Sequence, residues 1–172
     1  AFARDRQPFI PRLRARVAAW QERLPELEST AAEAAEGILA GGRIFLMGPQ
    51  ESFWREGAGR SGGLIMAKRY RPGTELQSRD TILAAVTEGQ SAEAGKRIEQ
   101  AARAARKADA RLFLFTDGGR ELVADSPPSL RLIPDEPFGG AEEGAEPHVE
   151  SLSNVVGLWA WTGEFAAACV AE

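Results

Sequence analysis

Four short apolar runs are spaced along the chain, and a polar or glycine-rich segment follows each of them. They occupy residues 43–47, 81–86, 111–115 and 130–133, and they are rich in Ile, Leu and Phe. An apolar run of this length without strict alternation is typical of a strand that is buried on both faces of a parallel sheet. The pattern therefore predicts a sheet that contains these strands.

Between these runs, apolar residues recur at the three- and four-residue spacing of helices. The Arg-rich first 25 residues form one predicted helix, which Pro25 ends. A second predicted helix begins near Thr30, with Glu33 completing a capping box, and stops at Gly41 and Gly42. Further helices are predicted over 64–71, 92–108 and 148–171, with loops over 49–63 and 134–147.

The order of these elements predicts the fold class. Strand, loop and helix alternate along the chain, which is typical of the α/β class. We expect a three-layer α/β/α sandwich of the flavodoxin-like kind, with a central parallel sheet, an N-terminal helical hairpin and a long C-terminal helix. The 172 residues have the length of one domain. Residues 1–29 are expected to form an N-terminal helical segment and residues 30–172 the α/β domain, packed as one structural unit.

Composition restricts the chemistry that the chain can perform. It holds 21 Lys and Arg against 25 Asp and Glu, and the net charge of −4 argues against nucleic acid as a partner. No apolar run reaches the roughly 18–20 residues that span a bilayer. With one cysteine, Cys169, and one histidine, His148, the chain cannot form an internal disulfide or a Cys/His zinc cluster. We therefore expect no metal and no other cofactor.

The start of the sequence leaves its compartment open. It begins Ala1-Phe2-Ala3 and carries no intact targeting signal, so we expect a cytoplasmic protein. Small residues at the start also fit a removed signal peptide or a trimmed chain, and both alternatives stay open.

Three loops directly follow predicted strands: Gly48–Ser52, Thr87–Ser91 and Thr116–Gly119. In an open parallel sheet, ligands bind beyond the carboxyl ends of the strands. The helix that follows a loop offers free backbone N–H groups to an anion, and the hydroxyls of Ser52 and Ser91 could add further donors. Ser91 is equally suited to cap the helix that follows it.

The last predicted helix carries His148 near its start, where a lone histidine is a candidate base or ligand, or simply a surface residue. The helix is apolar on more than one side, which indicates burial or a subunit interface. Its apolar residues include Leu152, Val155, Val156, Leu158, Trp159, Trp161 and Phe165. Because one sheet face covers only one stripe of a helix, we predict a homo-oligomer, a dimer or larger, that uses this helix and the N-terminal one.

Two segments resemble the signatures of a known family. A helical hairpin leads into Gly41-Gly42-Arg43-Ile44-Phe45-Leu46-Met47-Gly48, and Thr81–Ser91 is a strand that runs into a loop with hydroxyl and glycine residues. Both resemble sugar isomerase (SIS) domains, which bind phosphosugars. The resemblance spans residues 30–170 and implies a phosphosugar or another small anionic carbohydrate derivative as the ligand. The resemblance carries Ser52 over as a candidate phosphate ligand. With the three loops that follow the strands, the expected ligand-binding residues are Gly48, Ser52, Thr87, Gly89, Gln90, Ser91 and Thr116.

Within that family, the chain is most similar in shape to the phosphoheptose isomerase branch. The Gly-Asn-Gly-Gly-Ser loop and later Gly-Arg-Tyr-Arg of that branch correspond here to Gly48–Ser52 and Lys68–Arg71. Its metal-binding His and catalytic Glu fall near Ser61 and Ile65, which cannot perform that chemistry. Of its later Gln and His, only His148 offers a potential ligand here. The family's usual edge strand before residue 81 is expected to be missing or vestigial.

The catalytic motif of the branch is therefore degenerate, and three hypotheses stay open. The first is a non-catalytic protein that binds a carbohydrate derivative. The second is an aldose–ketose isomerase, an intramolecular oxidoreductase, with a rearranged site in which Glu51, Glu56 or Glu88 moves the proton and His148 opens the ring. The third is a structural or interaction protein that has lost the ligand site. Glu51 and Glu88 bear on the choice, because two carboxylates near a dianionic phosphate disfavour its binding.

Overall fold

A computed structural model describes residues 9–48, 51–59, 64–86, 92–116, 130–134 and 147–171. The strands are β1 (Ile44–Met47), β2 (Lys68–Arg69), β3 (Thr81–Val86), β4 (Arg111–Thr116) and β5 (Leu130–Pro134). The helices are α1 (Phe9–Glu22), α2 (Leu24–Leu39), α3 (Glu51–Gly59), α4 (Ala92–Ala108) and α5 (Pro147–Ala171). The α/β class is confirmed, each predicted strand is present, and α4 has its predicted bounds.

The strands form one parallel sheet in the order β2-β1-β3-β4-β5. Leu46 of β1 lies opposite Leu83 of β3, which in turn lies opposite Phe113 of β4. All three side chains are buried. Because both faces of the sheet are covered, these strands carry unbroken apolar runs instead of an alternation of apolar and polar residues.

A separate apolar cluster covers each face of the sheet. On one face, strand residues such as Leu46 and Phe115 pack against α1, α2, α3 and α5. On the other face, strand residues such as Phe45 and Leu114 pack against α4 and against Tyr70, which follows β2. The three-layer sandwich is therefore confirmed. Among the described residues, α1, α2, α3 and α5 form one outer layer and α4 forms the other.

The turn of the N-terminal hairpin differs from the prediction. α2 follows α1 almost directly, so Pro25 lies in the first turn of α2 instead of ending a helix. A proline is tolerated there because the first N–H groups of a helix have no intrahelical acceptor. Thr30 consequently lies inside α2, where its hydroxyl donates to the carbonyl oxygen of Glu26 at 2.8 Å. The predicted capping box of Thr30 and Glu33 is wrong.

The end of α2 agrees with the prediction. The helix ends at Leu39, and a pair of glycines follows one residue later. The backbone N–H groups of Gly41 and Gly42 donate to the carbonyl oxygens of Ile38 and Gly37 at 2.9 and 2.8 Å. These two bonds satisfy carbonyl groups that a helix end leaves without partners.

Two predictions for the segment between β1 and β3 are wrong. Residues 51–59 form α3 where a loop is predicted, and residues 68–69 form β2 where a helix is predicted. Gly57 explains the first error, because a Cβ there would lie 2.7 Å from side-chain carbons of Leu46 and Leu158. The glycine thus allows α3 to pack closely against β1 and α5 and does not make a turn. The two-residue length of β2 confirms the expectation of a vestigial edge strand.

Most of the apolar residues of α5 belong to the core of their own subunit. Leu158 and Trp161 are 0 % exposed, and Val155 and Phe165 are 4 % exposed. These four side chains need no second subunit, because α1, α2 and α3 cover them within the chain. Trp159 differs from them, since it faces away from this core.

Gly157 marks a close approach between α5 and α1. A Cβ at this position would lie 2.5 Å from a ring carbon of the buried Trp20, which packs on Phe115. We expect Gly157→Ala to lower the free energy of unfolding by about 1–3 kcal/mol, because the buried ring would have to move. Gly163→Ala is the matched control, since no heavy atom lies within 4 Å of its added Cβ. The control should be neutral or stabilising by up to about 1 kcal/mol.

Denaturant unfolding of both variants at high dilution measures this difference. Equal effects of the two substitutions would contradict the close contact between α5 and Trp20.

Candidate ligand site at the carboxyl edge of the sheet

The strand order creates a crevice between β1 and β3. The chain leaves β1 for α3 on one face of the sheet and leaves β3 for α4 on the other face. Right-handed crossovers require this split, because β2 and β4 lie on opposite sides of the β1–β3 pair. At such a switch point the two connections diverge and leave room for a ligand beyond the carboxyl ends of the strands.

Two helices begin at this edge of the sheet. β1 ends at Met47 and α3 begins at Glu51, while β3 ends at Val86 and α4 begins at Ala92. The first N–H groups of each helix lack intrahelical acceptors and carry the positive end of the helix dipole. Both helix starts therefore favour an anion at the same edge.

Buried aromatic rings pack against one another beside the carboxyl edge of the sheet. The ring centroid of Phe115, near the end of β4, lies 5.9 Å from that of Phe53 in α3 and 5.9 Å from that of Trp20 in α1. Gly48 passes close to the same group, because a Cβ there would lie 3.2 Å from the Cβ of Phe53. The packing holds the start of α3 against the end of β1.

A cation lies beside the first turn of α3. The guanidinium carbon of Arg69 is 5.6 Å from the centroid of the Trp54 ring. Arg69 lies opposite Leu46 in the sheet register, is exposed, and forms no ion pair with another described residue. A guanidinium that stacks on an aromatic ring can still direct its N–H groups at a phosphate in a bidentate contact.

Tyr70 fixes the position of Arg69. Its backbone N–H donates to the carbonyl oxygen of Leu46 at 2.9 Å, and its ring meets that of Phe45 edge-on at 6.3 Å between centroids. Burial raises the pKa of the Tyr70 phenol, which is therefore neutral near pH 7. Tyr70 thus anchors β2 to β1 and contributes no charge of its own.

The backbone places several sequence-predicted site residues at this edge. Gly48 directly follows β1, Glu51 and Ser52 open α3, and Thr116 ends β4. His148 is the second residue of α5. The other predicted site residues lie outside the described residues: Thr87, Glu88, Gly89, Gln90 and Ser91.

The positions carried over from the phosphoheptose isomerase pattern do not form a catalytic group here. Ile65 is 87 % exposed and lies in the turn that precedes β2. That turn is at the amino end of the parallel strands, opposite the candidate site. The structure thus corrects the expectation that Ile65 lies in a helix, and Ser61 lies outside the described residues.

Sequence reasoning missed the pairing of Arg69 with Trp54. The signal for Arg69 was the similarity of Lys68–Arg71 to the Gly-Arg-Tyr-Arg motif, but the predicted helix there obscured the strand that orients it. Trp54 carries no comparable signal in the sequence.

Neither a metal centre nor a reactive thiolate is indicated among the described residues. No group of three His, Cys, Asp or Glu side chains that could hold a metal ion occurs among them. Burial raises the pKa of the Cys169 thiol, which disfavours the thiolate. In the same part of the chain, no helix is long and apolar enough to cross a membrane.

An ion pair between a buried carboxylate and a partly exposed guanidinium lies at the opposite, amino edge of the sheet. Arg43 Nη2 donates to Asp80 Oδ2 at 2.6 Å, and the Asp80 side chain is 0 % exposed. The backbone N–H groups of Arg43 and Gln77 each donate to the same carboxylate at 2.8 Å. The pair joins the starts of β1 and β3 and has a structural role.

Neither a family model nor a curated protein matches the sequence. The fold does match solved structures, among them the C-terminal domain of glucosamine-fructose-6-phosphate aminotransferase from Francisella tularensis, with a TM-score of 0.57 and 12 % identity over 92 % of this chain. A Bacteroides fragilis protein assigned as a phosphosugar isomerase involved in capsule formation matches 93 % of this chain, with a TM-score of 0.55 and 12 % identity. This chain has the fold of a sugar isomerase (SIS) domain.

The SIS-like chain covers its structural neighbours to different extents. It spans 91 % of the Bacteroides protein but 43 % of the Francisella chain. It also spans 45 % of a Clostridium difficile protein assigned as a phosphosugar isomerase, with a TM-score of 0.51 and 10 % identity over 90 % of this chain. At these identities the likeness establishes the fold, and function has to be argued from the site.

Proposed function

We propose that this SIS-like domain binds a phosphosugar, or another small anionic carbohydrate derivative, at the carboxyl edge of its sheet and does not transform it. The observation that carries the proposal is the exposed Arg69 guanidinium, which stacks on Trp54 in the first turn of α3. The start of α3 and the start of α4 add partial positive charge at the same switch point. Together these groups suit a phosphate dianion.

The proposed ligand contacts come from three loops at this edge. Backbone N–H groups, hydroxyls and an amide there can meet both the phosphate and the sugar hydroxyls. The residues proposed for these contacts are Gly48, Ser52, Thr87, Gly89, Gln90, Ser91 and Thr116.

The positive charge of Arg69 also offsets the negative charge that carboxylates bring to the proposed phosphate site. Glu51 and Glu88 bring carboxylates near the phosphate, and like charges in close proximity disfavour binding. Glu51 opens the same turn of α3 that carries Trp54, on which Arg69 stacks. The guanidinium therefore supplies positive charge beside the helix turn that carries Glu51.

The proposal of binding without turnover rests on the degenerate motif. By the resemblance, the metal-binding His and catalytic Glu of that branch fall near Ser61 and Ile65. Ile65 has no proton to transfer, and it lies at the edge of the sheet opposite the proposed site. Isomerisation would then require a new base within hydrogen-bonding reach of the sugar carbons. The candidates for that role are Glu51, Glu88 and His148.

Titration calorimetry with a hexose 6-phosphate tests the proposal. We expect Arg69→Gln to weaken binding about 10- to 100-fold, because hydrogen bonds to a charged group contribute about 1.5–3 kcal/mol. Lys68→Gln is the matched control: Lys68 is the neighbouring exposed cation, and its side chain points to the opposite face of β2. It should change the affinity less than about twofold, since only long-range charge is lost.

Three results would contradict the proposal in different ways. Equal losses in both variants would indicate unspecific attraction by net charge. Equal binding of the hexose without its phosphate would exclude recognition of the anion. Conversion of the aldose phosphate to its ketose isomer would show an isomerase, and Glu51, Glu88 and His148 would then be tested as its acid and base groups.

A further inference from the structure

Trp54 occupies a fixed place on α3, between the core and solvent. Its ring is partly buried and packs against the apolar cluster on that face of the sheet. The neighbouring Phe53 is 2 % exposed. A Cβ at Gly57, about one turn later, would lie 2.7 Å from side-chain carbons of Leu46 and Leu158. The helix that carries Trp54 is therefore packed tightly, and the ring has little freedom to move.

The indole N–H of Trp54 is a buried donor that lacks an acceptor. Its Nε1 has no hydrogen-bond partner among the described residues. Buried indole N–H groups usually have a partner, because a buried donor without an acceptor costs free energy. Trp161 on α5 shows the usual arrangement, since its N–H donates to the Thr30 hydroxyl at 3.1 Å. A phenylalanine at position 54 would fill much of the same space without this cost, so packing alone does not explain a tryptophan there.

The guanidinium of Arg69 supplies a reason for the tryptophan. Its central carbon lies 5.6 Å from the centroid of the Trp54 ring. Among aromatic side chains, the indole attracts a cation most strongly. Arg69 lies opposite Leu46 in the sheet register, and its side chain therefore projects toward the face of the sheet on which α3 packs. The strand register and the position of α3 thus bring the cation and the ring together.

We propose that Trp54 is a positioning residue for Arg69, which holds the guanidinium against the indole with its N–H groups free to bind the phosphate. This role rests on the proposed function, in which Arg69 binds the phosphate group of the ligand. An exposed arginine samples many rotamers, and ordering it on binding costs entropy. Stacking on a ring that is itself fixed removes part of that cost before the ligand arrives. A guanidinium whose face lies on a ring keeps the N–H groups of its edge for a bidentate contact.

Titration calorimetry with a hexose 6-phosphate tests the role of the ring. Trp54→Leu keeps an apolar side chain but removes the aromatic face, and we expect it to weaken binding about 3- to 10-fold. Trp54→Phe keeps an aromatic face and lacks the N–H group, so it should bind within about twofold of wild type. Trp159→Leu is the matched control, because Trp159 is a 47 % exposed tryptophan on α5. It should also bind within about twofold of wild type.

A double-mutant cycle with Arg69→Gln separates positioning from direct contact with the ligand. If Trp54 acts through Arg69, adding Trp54→Leu to Arg69→Gln should change the affinity less than about twofold. A further loss of about 3- to 10-fold in the double variant would show that Trp54 acts independently of Arg69, and it would overturn the proposal. Wild-type affinity in Trp54→Leu, or equal losses in Trp54→Leu and Trp54→Phe, would overturn it as well.

The side-chain NMR resonance of Arg69 tests the positioning without any ligand. In wild type, the ring current of Trp54 should shift the Nε–Hε signal of Arg69, and the heteronuclear NOE should show an ordered side chain. Both effects should be lost in Trp54→Leu and largely kept in Trp54→Phe. Arg71, which is also exposed, provides the reference for a mobile arginine. An Arg69 signal that resembles that of Arg71 in the wild type would contradict the positioning role.

The two readouts distinguish failure of the positioning role from failure of the proposed function. If the wild type does not bind the hexose phosphate, the proposed function is wrong, and Trp54 has no role in binding whatever the resonance of Arg69 shows. If binding depends on Arg69 but not on Trp54, the proposed function stands and the positioning role alone is wrong. Thermal unfolding checks that each variant is folded. Trp54→Met, with a flexible apolar side chain, replaces Trp54→Leu if that variant does not fold.

Discussion

Trp161→Ala is expected to lower the free energy of unfolding by about 3–5 kcal/mol, the range for removing a large aromatic side chain from a core. Trp161 is fully buried and stacks on Phe165 with 5.3 Å between ring centroids and 8° between ring planes. Its indole N–H donates to the Thr30 hydroxyl at 3.1 Å, and that hydroxyl in turn donates to α2. The side chain therefore joins α5 to α2 by packing and by a hydrogen bond.

Two control variants separate these contributions. Trp161→Phe keeps much of the ring and removes the N–H donor, so it should lose less than the alanine variant. Trp159→Ala removes the same side chain from the exposed side of the same helix and should cost less than about 1.5 kcal/mol in the monomer. Urea unfolding at high dilution gives all three values. A loss in Trp159→Ala that equals the loss in Trp161→Ala would contradict the assignment of Trp161 to the core.

Asp80→Asn is expected to lower the free energy of unfolding by about 2–3 kcal/mol, because the buried carboxylate would lose its charge-assisted hydrogen bonds to the one-third exposed Arg43. The carboxylate accepts four hydrogen bonds: from the Arg43 backbone N–H, from Arg43 Nε and Nη2, and from the Gln77 backbone N–H. Each carboxylate oxygen accepts two of these bonds. An amide nitrogen in place of either oxygen is itself a donor, so it could accept neither of them. Arg43 would also lose its counter-charge.

The same pair makes stability depend on pH. Burial alone would raise the pKa of the Asp80 carboxyl, but the hydrogen bonds from the Arg43 side chain and from the backbone N–H groups of Gln77 and Arg43 outweigh it, and the pKa lies below its usual value. A depressed pKa contributes stability that is fully present above the unfolded-state value of about 3.9 and is lost as pH falls through the folded-state value. Wild type should therefore lose stability below about pH 4, and Asp80→Asn should lack this part of the acid transition.

Glu93→Gln serves as the control for the ion pair. Glu93 and Arg97 form an exposed pair one turn apart on α4, and such pairs contribute less than about 1 kcal/mol. Thermal melts of the wild type and both variants between pH 3 and pH 7 provide the comparison. If Asp80→Asn melted like Glu93→Gln at pH 7, the buried pair would not stabilise the sheet as argued.

The sheet and α4 could be predicted because one signal dominates each element. β3 is a continuous apolar run, as expected for a strand covered on both faces. α4 combines a regular apolar face with Glu93 in its first turn and Arg106 and Lys107 in its last, as the helix dipole favours. The residues of β3 and α4 thus fit a single structural role, and their apolar pattern predicts one type of element.

The hairpin could not be predicted in detail, because its residues fit two roles. Pro25 ends a helix in one context and opens one in another, and only the position of α1 relative to α2 decides between them. Thr30 is a preferred cap, but inside α2 its hydroxyl bonds to the preceding turn and accepts from Trp161, far away in sequence. Tertiary contacts therefore override the local preference.

The segment between β1 and β3 was mispredicted for a related reason. Its glycines suggest a loop, whereas Gly57 provides a close contact within a helix. β2 is too short to carry any periodicity, so its place beside β1 could not be foreseen. The position of Arg69 depends on that strand. The rule for parallel sheets predicts the edge at which a ligand binds, but it does not predict which cation stands there.

The most direct test of the proposed function is to follow the backbone amide resonances of the chain by NMR while a hexose 6-phosphate is added. Binding at the carboxyl edge predicts saturable shifts at Gly48 and Ser52 and at the side-chain Nε of Arg69. The amino edge, where Arg79 and Arg111 lie, should remain unchanged. The absence of saturable shifts, or shifts confined to Arg79 and Arg111, would contradict the proposal that this SIS-like domain binds its ligand at the switch point.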